Sequence, residues 1–333
     1  MPTEARRAAG LAAGLILTLA AGSCGPATGE EGARFEAPGR AVAVEMPAEA
    51  RLRLVGAVDL GLPARGFGGL SGLEVSADGA RLVAISDRGG WLAAGIARGG
   101  GPDRAPTGLS GARFGPMLAA SADGPPAPPA PARRDAEGLA IPDPALAPPW
   151  FVSFEQTHRM DRFAGPDAAA EPFVRLDTPT AHHVALTGND GFEALAVAGD
   201  GRLLAAREIW EDRPEDARWI ARDGSETPAD LPRDSRAPAV GADFAPDGTL
   251  WLLRRRFELL GGFSFAIWRH VPQGDGFGPG ERMLDLPFGD AADNAEGLAV
   301  WVTPAGRTRI ILISDDNFVP LQRSILYEFE LPD

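Results

Sequence analysis

The chain has 333 residues, 46 acids against 32 bases and a formal net charge of −14; every base is arginine. That balance argues against a nucleic-acid partner, whose phosphates demand a basic surface. It suits a cation, a cationic ligand or plain solubility. With 42 glycines, 31 prolines and one cysteine, the composition fits a frequently turning all-β chain in one domain without disulfides.

Residues 1–23 read as an export leader: Arg6-Arg7, an apolar run from Leu11 to Ala21, then Ala21-Gly22-Ser23-Cys24. The run is too short for a permanent span. The lone cysteine stands where a bacterial lipoprotein is cleaved and acylated, so the expected location is the periplasm or cell envelope with a lipid anchor at Cys24. Membrane contact is expected only through that anchor, on a monomer, and the Sec and twin-arginine routes both stay open. Residues 24–45 read as a flexible tether rich in Gly, Ala, Glu and Pro.

Strand signals begin at Met46, and the domain is expected over 46–333. Along it one phrase is written five times, each copy an acid-bearing strand, a turn and an apolar strand that usually ends in a second acid. The copies start at Leu70-Ser-Gly-Leu-Glu74, Asp135-Ala-Glu137-Gly-Leu-Ala140, Gly191-Phe-Glu193-Ala-Leu-Ala196, Gly241-Ala-Asp243 and Asn294-Ala-Glu296-Gly-Leu-Ala299. Their first acids lie 63, 56, 50 and 53 residues apart. Short strands at a period of roughly 40–50 residues predict propeller blades. Asp-Gly turns at 78–79, 200–201 and 247–248 predict hairpins within them.

Residues 98–113 and the Pro-rich 121–134 read as loops on one face, since inner strands exclude proline. Five marked hairpins, the Met46–Leu62 strands and the closing Ile325–Leu331 together predict an all-β propeller of about six blades, with five or seven open.

Repeated positions converge on a propeller axis, so Glu74, Glu137, Glu193, Asp243 and Glu296 are expected to form a ring, with Asp87, Glu155, Glu208 and Asp315 as a second set. Clustered carboxylates need a positive partner. They hold a hard cation such as Ca²⁺, or they pair with the arginines that accompany them, Arg88, Arg159, Arg207, Arg254 to Arg256 and Arg323, or each glutamate is a structural device accepting a backbone N–H from the next blade. The metal-ligand candidates are Glu74, Asp87, Glu137, Glu193, Glu296 and the Asp315-Asp316-Asn317 corner. Arg88, Arg159, Arg254 and Arg323 are the candidate substrate clamps; Glu155, Glu208 and His158 are the candidate general bases. His182, His183 and His270 read as surface or strand positions. Gly69-Leu-Ser71-Gly72-Leu73 and Gly108-Leu-Ser110-Gly111-Ala112 each lack the last glycine of a hydrolase elbow. Neither H-E-x-x-H nor a phosphate loop occurs.

The phrases Gly68-Gly-Leu-Ser-Gly-Leu-Glu74, Ile85-Ser-Asp-Arg-Gly89, Asp135-Ala-Glu-Gly-Leu-Ala140, Ser153-Phe-Glu155, Leu252-Leu-Arg-Arg-Arg-Phe257, Asn294-Ala-Glu-Gly-Leu298 and Ile313-Ser-Asp-Asp-Asn-Phe318, in that order, resemble the bacterial phytase-like family, named for an esterase-like activity of phytase. The resemblance covers nearly all of 50–331. It implies an exported or lipid-anchored propeller that hydrolyses phosphate or carboxylic esters, a small anionic ester as substrate, and calcium as in propeller phytases. One departure stands out: the family phrase Leu-Glu-Arg-Arg-Phe is here Leu253-Arg254-Arg255-Arg256-Phe257, an acid turned base. Two functions follow as expectations. The first is metal-assisted ester hydrolysis in the central cavity. The alternative is a non-catalytic envelope propeller that binds a solute or protein partner, its acidic ring a structural ion site; lactone hydrolysis stands third, by fold analogy.

Overall fold

The computed structural model describes residues 34–61, 68–101, 103–121, 124–175, 191–208, 217–232, 237–259, 261–289 and 291–332. The leader, Cys24, His182 and His183 lie outside the described residues. Among the described residues no helix is long and apolar enough to cross a membrane.

Among the described residues five sheets make five blades, antiparallel throughout except for the short parallel pairing of Leu118–Ala119 with Ala169–Arg175 at the edge of the second. Their innermost strands are Leu70–Val75, Ala136–Ala140, Phe192–Val197, Ala239–Phe244 and Asn294–Val302. Each touches the next, and Asn294–Val302 packs back on Leu70–Val75, so the ring is closed. Among the described residues the count is five, one of the numbers left open beside about six. Arg53–Asp59 and Ile325–Glu330, read from sequence as extra blade material, pair with each other inside the fifth sheet.

The second strands are apolar on consecutive residues because each blade is covered on both faces. Leu82 and Ala84 pack towards the fifth blade while Val83 and Ile85 pack towards the second. Leu204 and Ala206 likewise join the fourth blade, whereas Leu203 and Ala205 join the second. Five apolar clusters result, one at each blade interface. Burying one leucine in such a layer contributes about 1.5–3 kcal/mol.

The Asp-Gly turns behave as their chemistry requires. Gly79, Gly201 and Gly248 have φ of 66°, 84° and 85°. Asp78, Asp200 and Asp247 each accept the N–H two residues on, at 3.0, 2.9 and 2.9 Å. Two expectations about loops change. Within the expected tether, Phe35–Pro38 and Arg40–Ala41 pair at the outer edges of the first and fifth sheets. In the expected loop at 98–113, Pro106–Pro116 is a long strand; it lies next to the outer edge, where proline and glycine cost fewer ladder bonds. Residues 124–134 of the Pro-rich stretch do form a loop, with a 3₁₀ turn at Pro131–Arg133.

The seam between the first and fifth blades carries a buried ionic cluster. Glu328, fully buried, accepts from both terminal nitrogens of Arg98 and from Trp301 Nε1 at 3.2 Å. Arg309 lies 3.5 Å from Glu328 and 2.7 Å from Glu330, and Glu330 also meets Arg53 and Arg307. Each carboxylate there meets at least two guanidinium groups.

Candidate functional site

Every innermost strand slips register at the repeated phrase. In the third blade Phe192 pairs with Arg207 and Ala194 with Ala206, leaving Glu193 unpaired; in the fifth, Glu296 is skipped between Ala295 and Gly297. The acid is thus the bulged residue, and a bulge re-aims its side chain. Beside it the next blade comes so close that a Cβ on Gly138 would sit 2.7 Å from the Glu193 carbonyl oxygen, and one on Gly241 2.6 Å from that of Glu296. The Glu-Gly pair therefore couples two demands: an acid turned to the axis and a side chain removed where blades touch.

Register also separates the five first acids into two levels. Glu137, Glu193 and Glu296 precede the close-contact position, where the first and fourth blades carry Ser71 and Val240. Glu74 and Asp243 come three residues later in their strands. Glu74 accepts the Ile141 N–H of the second blade at 3.0 Å, and Asp243 that of Val300 in the fifth at 2.7 Å. These two are inter-blade straps, so the expected ring of five is a group of three. Burial raises both acids, Asp243 to about 7 and Glu74 well above the usual range with Asp243 adding to the effect. Between the two levels the axis narrows among Leu73, Leu139, Leu195 and Leu298 to about 10 Å³, roughly room for one water.

Above that neck lie the carboxylates of Asp87, Asp135, Glu137, Glu155, Glu193, Glu208, Glu296 and Asp315. Asp135, Glu137 and Glu155 each present an oxygen within 4.8 Å of the other two. Ca²⁺ sits about 2.3–2.6 Å from each ligand, so two ligands of one ion stand at most about 5 Å apart. The trio meets that limit and is a cluster able to hold a metal ion.

Ser71 Oγ donates to Glu137 at 2.7 Å, the Gly191 N–H to Glu155 at 2.7 Å, and the Glu155 N–H to the Asp135 carbonyl oxygen at 2.8 Å. Burial, then Glu155, Glu296 and Asp135, pushes Glu137 well above the usual carboxylate range. Glu193 is pushed up by burial and Glu208, and Asp315 by burial, Glu296 and Asp87. Asp87 reaches about 7 through burial and the Glu296 charge, against the pull of Arg88.

Among the described residues one guanidinium enters this group, and it belongs to Arg255. Its neighbour Arg254, the expected clamp, turns the other way and donates to the carbonyls of Ala237 and Pro232. Arg255 occupies in the fourth blade the place that Glu155 and Glu208 hold in theirs. It donates to Glu208 at 3.0 Å, to Asn294 Oδ1 at 2.7 Å and to Glu296. Burial opposes its charge, but Glu296, Glu208 and Glu193 outweigh that and hold the guanidinium above its ordinary range.

The remaining expected residues divide. Arg88 is exposed and stacked 3.5 Å over the Phe318 ring. Asp316 caps the turn through the N–H groups of Gly69 and Phe318, and Asn317 donates to Gln322 Oε1, so both are turn residues rather than ligands in the group. Arg323 pairs with Asp293 at 3.2 Å. Arg159 is buried in the second blade against Asp161, and His158 is buried beside it. His270, expected at a surface or strand position, is a buried strand residue.

Asp135 and Asn294 are not singled out by the sequence, and Arg255 enters there only as one of the three arginines Arg254 to Arg256. Asp135 and Asn294 stand two residues before a bulged glutamate, a spacing visible in the repeats once they are aligned on Glu-Gly.

The family model "Esterase-like activity of phytase" matches residues 65–318. The chain belongs to the phytase-like family. No curated protein matches it. Among solved structures, this phytase-like chain is similar to a glucose dehydrogenase at 14% identity, over 83% of this chain and 98% of that one, with a TM-score of 0.43. The WD40 repeats of RRP9 match at 9% over 87% and 100%, TM-score 0.42. The catalytic domain of a Coprinopsis cinerea GH62 alpha-L-arabinofuranosidase matches at 12% over 89% and 97%, TM-score 0.43. At that likeness none of the three bears on the chemistry of the phytase-like site.

Proposed function

We propose that this phytase-like propeller is a metal-assisted hydrolase of a phosphate or carboxylic ester, acting at the carboxylate-lined end of its axis. The surplus of buried acids around Asp135, Glu137 and Glu155 carries the proposal, because such a set stays ionised only beside a cation. Ca²⁺ fits an all-oxygen set, with Glu193, Glu296 and Asp315 close by. When bound it would polarise the ester oxygen and organise a water.

The chain's own residues position and exchange protons. Arg88, exposed at the rim, pairs with the anionic part of the substrate. Asp87, at about 7, holds or releases a proton near neutral pH. Glu155 enters as a ligand rather than as the base, and Glu208 holds Arg255 in place. The same proposal makes the chain an exported monomer, anchored at an acylated Cys24 and indifferent to nucleic acid.

The engagement of Arg255 by Glu208, Glu296 and Asn294 favours a second reading. It leaves the axis a paired cation and no activated nucleophile, which suits a non-catalytic envelope propeller that binds a solute or protein partner over a structural ion.

Metal content of purified protein lacking residues 1–24, followed by phosphate and acyl ester panels, separates the two. Turnover lost to chelator and restored by calcium supports the hydrolase. Bound calcium with no turnover across both panels supports the second reading. Absence of both sinks the pair.

A further inference from the structure

A cavity of about 190 Å³ lies away from the axis, under the Pro-rich loop and against the second blade. Its apolar wall is Met117, Phe154 and Phe163, all buried. Its polar wall is Arg159 with its partner Asp161. Arg159, 4% exposed, stacks 3.8 Å over Phe154 and lines the cavity, and Arg133 stands at its rim.

Arg159 carries five N–H donors. Nε takes Asp161 at 2.7 Å, one terminal nitrogen takes the Thr157 carbonyl at 3.1 Å, and the other the Arg133 carbonyl at 2.8 Å. Two N–H bonds are left over, one on each terminal nitrogen. Asp161 balances the charge of Arg159, and Arg133 adds a second positive charge at the rim. In a chain of net charge −14 this is a locally cationic pocket with an aromatic floor.

We propose that this cavity is a second binding site, for a small aromatic carboxylate, with the ring on Phe154 and Phe163 and the carboxylate on Arg159 and Arg133. A cavity of roughly 150 Å³ accepts a benzene ring, so about 190 Å³ takes one ring and its carboxylate. Guanidinium groups recognise such an anion through paired, charge-assisted hydrogen bonds. The site is independent of the axial chemistry and takes its ligand whether or not a metal is present.

Benzoate is the probe, titrated calorimetrically into the full chain with calcium and again with chelator. Benzoate is expected to bind equally in both conditions, and benzyl alcohol about tenfold more weakly because it lacks the charge. Ala120→Trp, at the exposed rim, fills the mouth and is expected to abolish binding. Arg133→Ala keeps the backbone carbonyl that Arg159 uses and is expected to weaken benzoate several-fold while leaving benzyl alcohol unchanged. No benzoate heat, equal affinity for the two probes, or undiminished binding in Ala120→Trp would each overturn the proposal, with circular dichroism confirming that the variants are folded.

Discussion

The seam between the first and fifth blades and the axis both bury arginine against glutamate, and they differ in stoichiometry. At the seam, Arg53, Arg98, Arg307 and Arg309 meet Glu328 and Glu330, so each carboxylate has more than one guanidinium. On the axis, among the described residues, a single half-buried arginine, Arg255, faces a crowd of acids. The first arrangement is complete in itself and is a clasp; the second is short of positive charge and waits for some. Matched burial marks structure, and mismatched burial marks a place for something else.

The largest test of that contrast is to delete one acid from each region. Glu328→Leu leaves Arg98 buried without its carboxylate and Arg309 with Glu330 alone, and is expected to cost about 3–5 kcal/mol in urea unfolding. Glu137→Gln removes a charge that repels its neighbours. At pH 8 without metal it is expected to leave stability equal or higher, while cutting the calcium-induced rise in Tm. Equal losses from the two substitutions would erase the distinction.

Arg255→Leu comes next. It strips Glu208 and Glu296 of their cation and is expected to cost about 2–4 kcal/mol at pH 8 without metal. At pH 5, where the raised acids take up protons, urea unfolding should show a much smaller loss.

A pH series on metal-free protein sharpens the comparison. Asp87 titrates at about 7 when folded, against roughly 3.9 unfolded, and Glu137, Glu193 and Asp315 are also raised. A raised folded value stabilises below the unfolded pKa and is lost as pH rises through the folded one. Tm should therefore fall between pH 5 and 8, and excess calcium should flatten the slope. Glu330 has the opposite sign. Burial works against its charge, but Arg53, Arg309 and Arg307 hold its pKa down, so its contribution is present above the unfolded value and fades in acid.

The smallest effect is expected at Glu74→Gln, which weakens one strap to Ile141 by about 1 kcal/mol. Calcium titration should give the wild-type affinity, since the strap lies below the leucine neck. A large loss of affinity there would return Glu74 to the ligand set.

Much of this was legible in the chain. The blade phrase, the Asp-Gly hairpins and the convergence of Glu137, Glu193 and Glu296 follow from periodicity and turn chemistry. The blade number was not, because Arg53–Asp59 and Ile325–Glu330 look like separate strands until their pairing across the sequence is known. The level of Glu74 and Asp243 was hidden by bulges, which shift a side chain without changing the motif around it. Choosing Arg255 over Arg254 depended on the same register, since neighbours on a strand face opposite ways.

The clasp has a further meaning for how the molecule comes into being. Arg53 and Glu330, bridged at the seam, are 277 positions apart, so the last sheet stays unfinished until nearly all of the polypeptide has been made. Contacts of such long range slow folding. A chain whose ring locks only when Ile325–Glu330 docks remains threadable for longer, which would suit the export proposed above.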